Sequence, residues 1–79
     1  MRVQVLVRLK GGVLDVQGKA IERGLADNGF QDLANIRVGK LIELDVEAAS
    51  EDAARKQVDT VCQKLLANPI IENYEIRFL

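Results

Sequence analysis

The chain has 79 residues, of which 48% are hydrophobic and 29% are charged, and its formal net charge is −1. This length and composition predict one globular domain, residues 1–79, and exclude a disordered chain. Basic and acidic residues are nearly equal in number, whereas nucleic-acid-binding proteins usually have an excess of basic ones. No apolar run reaches the roughly 18 residues that span a membrane. We therefore expect no nucleic-acid or membrane partner, and the absence of a signal-peptide pattern predicts a cytoplasmic protein.

The first two elements are predicted to be a strand and a helix joined by a glycine-rich turn. Apolar and polar residues alternate through residues 2–9, which is typical of a half-buried strand. Asp15 is a suitable N-cap and Gly29 a suitable left-handed terminator, so a helix is predicted over residues 15–28. The apolar stripe of this helix is thin and contains two large residues, Ile21 and Leu25.

The middle segment permits two interpretations, a hairpin or one long strand. A three-residue loop at residues 39–41 pairs Val38 with Ile42 and keeps the apolar residues on one face. One uninterrupted strand keeps them there too, and its roughly eleven residues would reach about 36 Å, twice the usual strand length. In the second case we expect residues 40–46 to pair with a second copy and Gly39 to mark a bend or bulge. The apolar residues that both interpretations place on one face are Ile36, Val38, Ile42, Leu44 and Val46.

The C-terminal third predicts a helix followed by a strand. Ser50 is a suitable cap, and Asn68-Pro69 ends the helix because the residue before proline is pushed out of helical geometry. Tyr74, Ile76 and Phe78 then alternate with charged residues, as in a half-buried strand. The core-facing stripe of the helix is predicted to contain Ala54, Val58, Val61, Cys62, Leu65 and Leu66.

The order β-α-β-α-β, with a long strand or a hairpin in the middle, predicts an α+β fold. A two-layer ferredoxin-like sandwich with a mainly antiparallel sheet fits this order. A chain of this size buries only about 60% of its unfolded surface, so its own core is marginal. Dimerisation is one common remedy for a small core.

Few residues have the chemistry that catalysis requires. The chain has no histidine and one cysteine, which leaves little from which to assemble a nucleophile and a base. Cys62 lies in the apolar stripe, which favours a buried thiol over a reactive one. The alternating carboxylates of residues 43–47 favour a solvated strand face or a charged rim over a metal site. No catalytic residue and no metal ligand is therefore assigned.

Polar residues around the glycines are the candidates for binding. The turn at Lys10 precedes a helix N-terminus, but it follows neither the Walker nor the dinucleotide-binding glycine pattern, so a structural loop is favoured. Gln17 and Gly18 have no evident structural need in a first helical turn, and docking or simple solvent exposure explains them equally well. Arg37 and Lys40 form a small basic point on either side of Gly39. The candidate partner-binding residues are Lys10, Gln17, Gly18, Arg37, Gly39, Lys40 and Asn68.

Three stretches together resemble the PurS family, the small subunit of phosphoribosylformylglycinamidine (FGAM) synthase: VLVRLKGGVLDVQGKAI, IRVGKLIEL and CQKLLANPIIENYEI. The resemblance covers essentially the whole chain in the expected order. The family commonly has proline after the aspartate, where this chain has Val16. Proline presets the first helical φ angle, so valine lowers the rigidity of this turn without blocking the helix.

The resemblance implies a non-catalytic, dimeric subunit of a glutamine-dependent ligase. It joins a large ATP-using synthetase subunit to a glutaminase subunit, so that ammonia passes from glutamine to formylglycinamide ribonucleotide. ATP and Mg²⁺ are bound in the synthetase, and this chain binds no cofactor. Two other functions fit the fold: an ACT-like regulatory domain that binds a small metabolite, and, less well, an acylphosphatase-like hydrolase.

Overall fold

The computed structural model describes all residues, 1–79, as three strands and two helices. Their order is β1 (Arg2–Leu9), α1 (Val16–Asp27), β2 (Gly39–Asp45), α2 (Glu51–Val61) and β3 (Glu72–Phe78), and α2 ends in a π turn (Cys62–Leu66). The predicted first strand, both helices and the last strand are confirmed. Asp15 and Ser50 are the N-caps, as predicted.

The three strands form an antiparallel sheet in the order β2-β1-β3. The central strand β1 is the most apolar of the three, and Val3, Val5 and Val7 are almost fully buried on its inner face. Val5 lies opposite Ile42 on β2 and Ile76 on β3. The α+β class and the antiparallel sheet are confirmed, and the core lies between the inner face of the sheet and α2.

Helix α2 packs on the sheet through fewer residues than its sequence predicts. Ala54, Val58 and Cys62 are buried, but Val61 is 36% exposed and Leu65 is 81% exposed. For Leu65 the cause is the π turn, which begins after Val61 and in which the backbone N–H of Ala67 donates to the carbonyl of Cys62 at 2.9 Å. This wider turn brings Ala67 into the core, so the predicted burial of Val61 and Leu65 is wrong.

The middle segment forms neither of the predicted arrangements. There is no hairpin at residues 39–41, and the strand begins at Gly39 instead of bending there. Residues 40–45 pair with β1 of the same chain, in register from Arg8 opposite Gly39 to Arg2 opposite Asp45. Pairing of this end with a second copy is therefore wrong. The prediction of which residues share the buried face is right, because the even-numbered residues of this segment are the more buried ones, apart from Lys40.

Helix α1 and the chain that follows it extend away from the sheet. We call residues 16–38 the arm, and residues 1–9 and 39–79 the body. The radius of gyration is 16.0 Å, whereas a compact chain of this length has about 12 Å. The molecule measures 52 × 25 × 14 Å, and no residue of the arm belongs to the core. Consequently Ile21 is 42% exposed, and the predicted stripe of α1 has no sheet beneath it.

Candidate docking site at the loop end

The seven predicted partner-binding residues lie at one end of the sheet, where β1 ends and β2 and β3 begin. We call this region, residues 10–18, 36–40 and 65–71, the loop end. The backbone N–H of Lys10 donates to the carbonyl of Ile71 at 2.8 Å, which joins the first turn to the turn before β3. The structure thus brings together residues that are up to 58 positions apart, namely Lys10, Gln17, Gly18, Arg37, Gly39, Lys40 and Asn68.

Asp15 is the structural centre of the loop end. Asp15 as a whole is only 5% exposed, and its carboxylate accepts hydrogen bonds from the backbone N–H groups of Val38 at 2.6 Å and Gly18 at 2.7 Å. The first bond crosses from the α1 cap to the residue before β2. These two N–H groups, the one of Val38 above all, lower the pKa of Asp15, and the nearby Arg37 guanidinium acts in the same direction. Asp15 therefore holds the arm and the sheet together as an anion.

The asparagine variant Asp15→Asn tests this role. Because the folded-state pKa is lowered, the ionised carboxylate stabilises the fold above the ordinary aspartate pKa. That contribution is lost as the pH falls through the folded-state value. At pH 7 we expect the variant to lower Tm by about 5–10 °C, and the difference should shrink towards pH 2.

Thermal unfolding followed by circular dichroism between pH 7 and pH 2 measures both quantities. The matched control is Asp32→Asn, which removes the same charge from an exposed position and should leave Tm nearly unchanged. A pH-independent difference between Asp15→Asn and the wild type would contradict an anionic role for Asp15.

Arg37 fixes the first turn from the opposite side. Its guanidinium donates to the carbonyl oxygens of Val13 at 3.0 Å and Lys10 at 3.3 Å, and it lies 4.0 Å from the Asp15 carboxylate. The double-glycine turn is therefore held by a side chain from the end of the arm. The sequence indicated Arg37 only as a basic point, because a contact between a side chain and a distant backbone carbonyl leaves no local pattern.

Two glycines are required by close backbone contacts. A Cβ at Gly18 would lie 2.5 Å from the Ile36 carbonyl oxygen, and a Cβ at Gly39 would overlap the carbonyl oxygen of Val7. Gly18 is thus needed because no side chain fits at this position, which the sequence did not reveal. Gln17 is exposed instead, and it lines a shallow groove of about 240 Å³ together with Lys40. Of the pair Gln17-Gly18, only the glutamine is free to contact another molecule.

Large apolar side chains project into solvent around these polar groups. Leu65 and Ile70 are more than 80% exposed, and Leu14 and Val16 are at least 70% exposed. Asn68 stabilises the turn that carries Ile70, because its side-chain oxygen accepts the Ile70 N–H at 3.2 Å and its own N–H donates to the Glu72 carboxylate at 2.6 Å. Exposed apolar groups with a polar rim are typical of protein–protein interaction sites.

A groove beside the first turn has a basic lining. It occupies about 410 Å³ along the end of β1 and the start of β2, and its charged residues are Arg8, Arg37 and Lys40, without a carboxylate. Arg8 also lies 3.8 Å from Glu75, which Arg77 contacts as well. The loop end is therefore locally positive in a chain whose net charge is −1, which favours an acidic partner surface.

The remaining reactive groups have structural roles. Cys62 is fully buried, as predicted, and burial, aided by the Asp59 charge, raises the pKa of its thiol. The Tyr74 hydroxyl donates to the Asp59 carboxylate at 2.5 Å and so joins β3 to α2. No three His, Cys, Asp or Glu side chains are close enough to hold a metal ion together. Neither helix has the length and apolar character needed to span a bilayer.

The fold and the loop end define a small α+β protein with an exposed surface of the kind that protein–protein contacts use. Comparison with known proteins identifies the family. The sequence pattern of the family described as PurS, phosphoribosylformylglycinamidine (FGAM) synthase, matches residues 2–79. The chain is 45% identical to the synthase subunit PurS of Synechocystis sp. over 71 residues, which is 90% of this chain and 71% of that one.

Solved structures agree with this result. The crystal structure of Methanocaldococcus jannaschii PurS superposes with a TM-score of 0.87 at 37% identity, covering 96% of this chain and 92% of that chain. A chain in the structure of PurLQS from Thermotoga maritima gives a TM-score of 0.90 at 36% identity, covering 99% and 95%. The chain belongs to the PurS family and is thus a subunit of FGAM synthase, a glutamine-dependent ligase of purine biosynthesis.

Proposed function

We propose that this chain is the non-catalytic assembly subunit of its FGAM synthase, and that it docks the glutaminase subunit to the ATP-dependent synthetase subunit. The observation that carries this proposal is the loop end. Its predicted binding residues and its most exposed apolar side chains form one surface, and Asp15 and Arg37 make that surface rigid. The similar chain in the PurLQS structure supports an assembly role.

Docking contributes to the reaction through geometry and the exclusion of water. Ammonia released from glutamine is protonated in neutral water and is then no longer a nucleophile. Holding the two active sites in register shortens its path to formylglycinamide ribonucleotide. In this proposal the synthetase binds ATP and Mg²⁺, the glutaminase supplies its own catalytic residues, and this chain binds no cofactor. The buried Cys62 takes no part in the reaction.

The proposal includes self-association and a cytoplasmic location. The extended shape of the chain and the exposed stripe of α1 support a homodimer, because an isolated copy leaves apolar surface in water. A dimer also offers two loop ends, so one dimer has sites for more than one large subunit.

Reconstitution tests the assembly function. Purified synthetase and glutaminase subunits from the same organism are combined with and without this chain, and FGAM formation is measured with either glutamine or ammonium as the nitrogen source. We expect glutamine-dependent synthesis to fall at least about 100-fold when the chain is omitted, because ammonia then has to diffuse through water. Ammonium-dependent synthesis by the synthetase should continue.

The control is addition of the wild-type chain to the depleted mixture, which should restore glutamine-dependent synthesis. Two results would contradict the proposal. One is full glutamine-dependent activity without the chain, and the other is loss of ammonium-dependent activity on its removal, since that would place the chain in the chemical step itself.

A further inference from the structure

The outer edge of β3 has backbone groups without partners. The sheet order is β2-β1-β3, so β3 pairs with β1 on one side only. The backbone N–H of Lys10 donates to the carbonyl of Ile71, and hydrogen bonding alternates along an antiparallel pair of strands. The odd-numbered residues of β3 therefore bond to β1, and the N–H and C=O groups of Tyr74 and Ile76 point towards the open edge.

This edge lacks the features that usually protect an exposed strand. Natural edge strands carry proline or lysine, or contain a bulge, and so resist the addition of another strand. Strand β3 reads ENYEIRF, without proline or lysine, and its seven residue pairs with β1 follow one another without a bulge. Its charged residues Glu75 and Arg77 pair with each other at 3.1 Å. The edge is therefore open to an added strand.

A groove runs along the same edge on the α2 side of the sheet. It occupies about 410 Å³ and is lined by Arg55, Lys56 and Asp59 of α2 and by Tyr74 and Ile76 of β3. The two β3 residues pack against the core but are only half-buried, so α2 covers them incompletely. Because the side chains of a strand alternate between its two faces, every second side chain of an added strand would enter this groove.

The α2 side of the groove is positively charged. Lys56 is exposed and forms no ion pair, and the exposed Arg55 lies 3.6 Å from Glu51 at the solvent side of the helix. The Asp59 carboxylate already accepts a hydrogen bond from the Tyr74 hydroxyl. The cationic groups of Arg55 and Lys56 thus favour acidic side chains on whatever enters the groove.

The same charges oppose a second copy of the chain at this edge. Two β3 edges paired about a two-fold axis would bring the Arg55 and Lys56 side chains of both copies to one junction, with like charges facing each other. A different protein with acidic groups avoids this repulsion.

We propose that β3 accepts an extended segment of one of the two large subunits as an added strand. The backbone of the segment bonds to the N–H and C=O groups of Tyr74 and Ile76. Its groove-facing side chains are apolar against Ile76 and acidic beside Arg55 and Lys56. In this mode of recognition the main-chain bonds give affinity and the alternate side chains give specificity. The inference rests on the proposed assembly function and specifies the form of one docking contact.

Hydrogen exchange tests the added strand without any substitution. Each large subunit is added separately to the chain, and residue-resolved mass spectrometry measures the exchange of the Tyr74 and Ile76 amides. Both amides point away from β1, so they should exchange fast in the isolated chain. Binding of the subunit that supplies the strand should slow them about 100-fold or more. The Arg77 amide, which points towards β1, is the internal control and should be protected throughout.

Charge reversal tests the acidic chemistry of the segment. The double variant Arg55→Glu with Lys56→Glu should raise the dissociation constant of that subunit at least about 10-fold, and the difference should shrink in about 0.5 M salt. Both positions are exposed, and circular dichroism verifies folding. The matched control, Arg55→Lys with Lys56→Arg, keeps both charges and should bind like the wild type.

The outcomes separate this inference from the assembly function. Protection of both amides by one large subunit, with weaker binding of the charge-reversed variant, supports the added strand. Protection already present in the chain alone would assign the edge to a second copy and overturn the inference. Unprotected amides in the complex, or normal binding of the charge-reversed variant, would also overturn it. The assembly function would still stand if glutamine-dependent synthesis requires the chain, and would fall with this inference if it does not.

Discussion

Replacement of Gly18 by alanine is expected to lower the free energy of unfolding by about 2–3 kcal/mol, although alanine is the best helix former. The added Cβ would lie 2.5 Å from the carbonyl oxygen of Ile36 and 2.7 Å from the Asp15 carboxylate. Both neighbours are fixed, one by the backbone and the other by its two hydrogen bonds. The substitution therefore has to move the arm relative to the cap.

The control lies in the same helix. Gly24 has nothing within 4 Å of the position that its Cβ would take, so Gly24→Ala should raise the free energy of unfolding by about 0.5–1 kcal/mol. Urea unfolding of both variants measures the two effects with opposite signs. Equal stabilisation by both substitutions would show that α1 does not contact the Ile36 backbone as described.

The second large effect concerns docking of the larger subunits. Ile70→Asp should lower glutamine-dependent FGAM synthesis about 100-fold in the reconstituted complex, because a charge replaces an apolar anchor at the centre of the proposed contact. Ile70 is 83% exposed, so the substitution should leave the stability of the isolated chain nearly unchanged. Activity with glutamine and with ammonium, together with co-purification of the large subunits, measures the effect.

Leu79→Asp is the matched control for Ile70→Asp. Leu79 is 70% exposed and lies at the opposite end of the sheet, where its backbone N–H donates to the carbonyl of Arg2. This variant should assemble normally. Equal loss of assembly in both variants would mean that the loop end has no special role. Full activity of Ile70→Asp would show that Ile70 is not an apolar anchor of the proposed contact.

The elements with strong local signals were predictable. Asp15, Gly29, Ser50 and Pro69 mark helix boundaries through backbone chemistry that acts within a few residues, and the structure confirms each boundary to within two residues. The phase of the middle segment was also right, since alternation depends only on which face of a strand is buried. The β2 partner was not predictable, because pairing with β1 depends on contacts about 40 residues apart.

The predicted core-facing residues of the two helices were partly wrong, because the local apolar pattern does not show how the backbone and the rest of the fold place each helix. The apolar pattern of α2 predicts a regular helix through Leu65. The π turn instead adds one residue to the last turn, so that Ala67 is buried and Leu65 is not. The stripe of α1 reads as core-facing, yet the arm leaves the body. The candidate residues could be listed from the sequence, and their role in binding stays a prediction, but the sequence did not show that they form one surface. Only the fold brings Lys10 and Asn68 to the same end, and the exposure of Ile70 was not visible in the sequence.

The position of β1 in the middle of the sheet has a consequence for synthesis of the chain. Val3 lies opposite Phe78, so β3, the last of the three strands to be synthesised, pairs with β1, the first. Until β3 has been synthesised, a nascent chain holds β1, whose inner face is apolar, with one flank unpaired. Such long-range pairing slows folding, so unpaired and aggregation-prone strand edges stay exposed for longer. Truncation by a few C-terminal residues should therefore yield aggregates rather than a smaller folded protein.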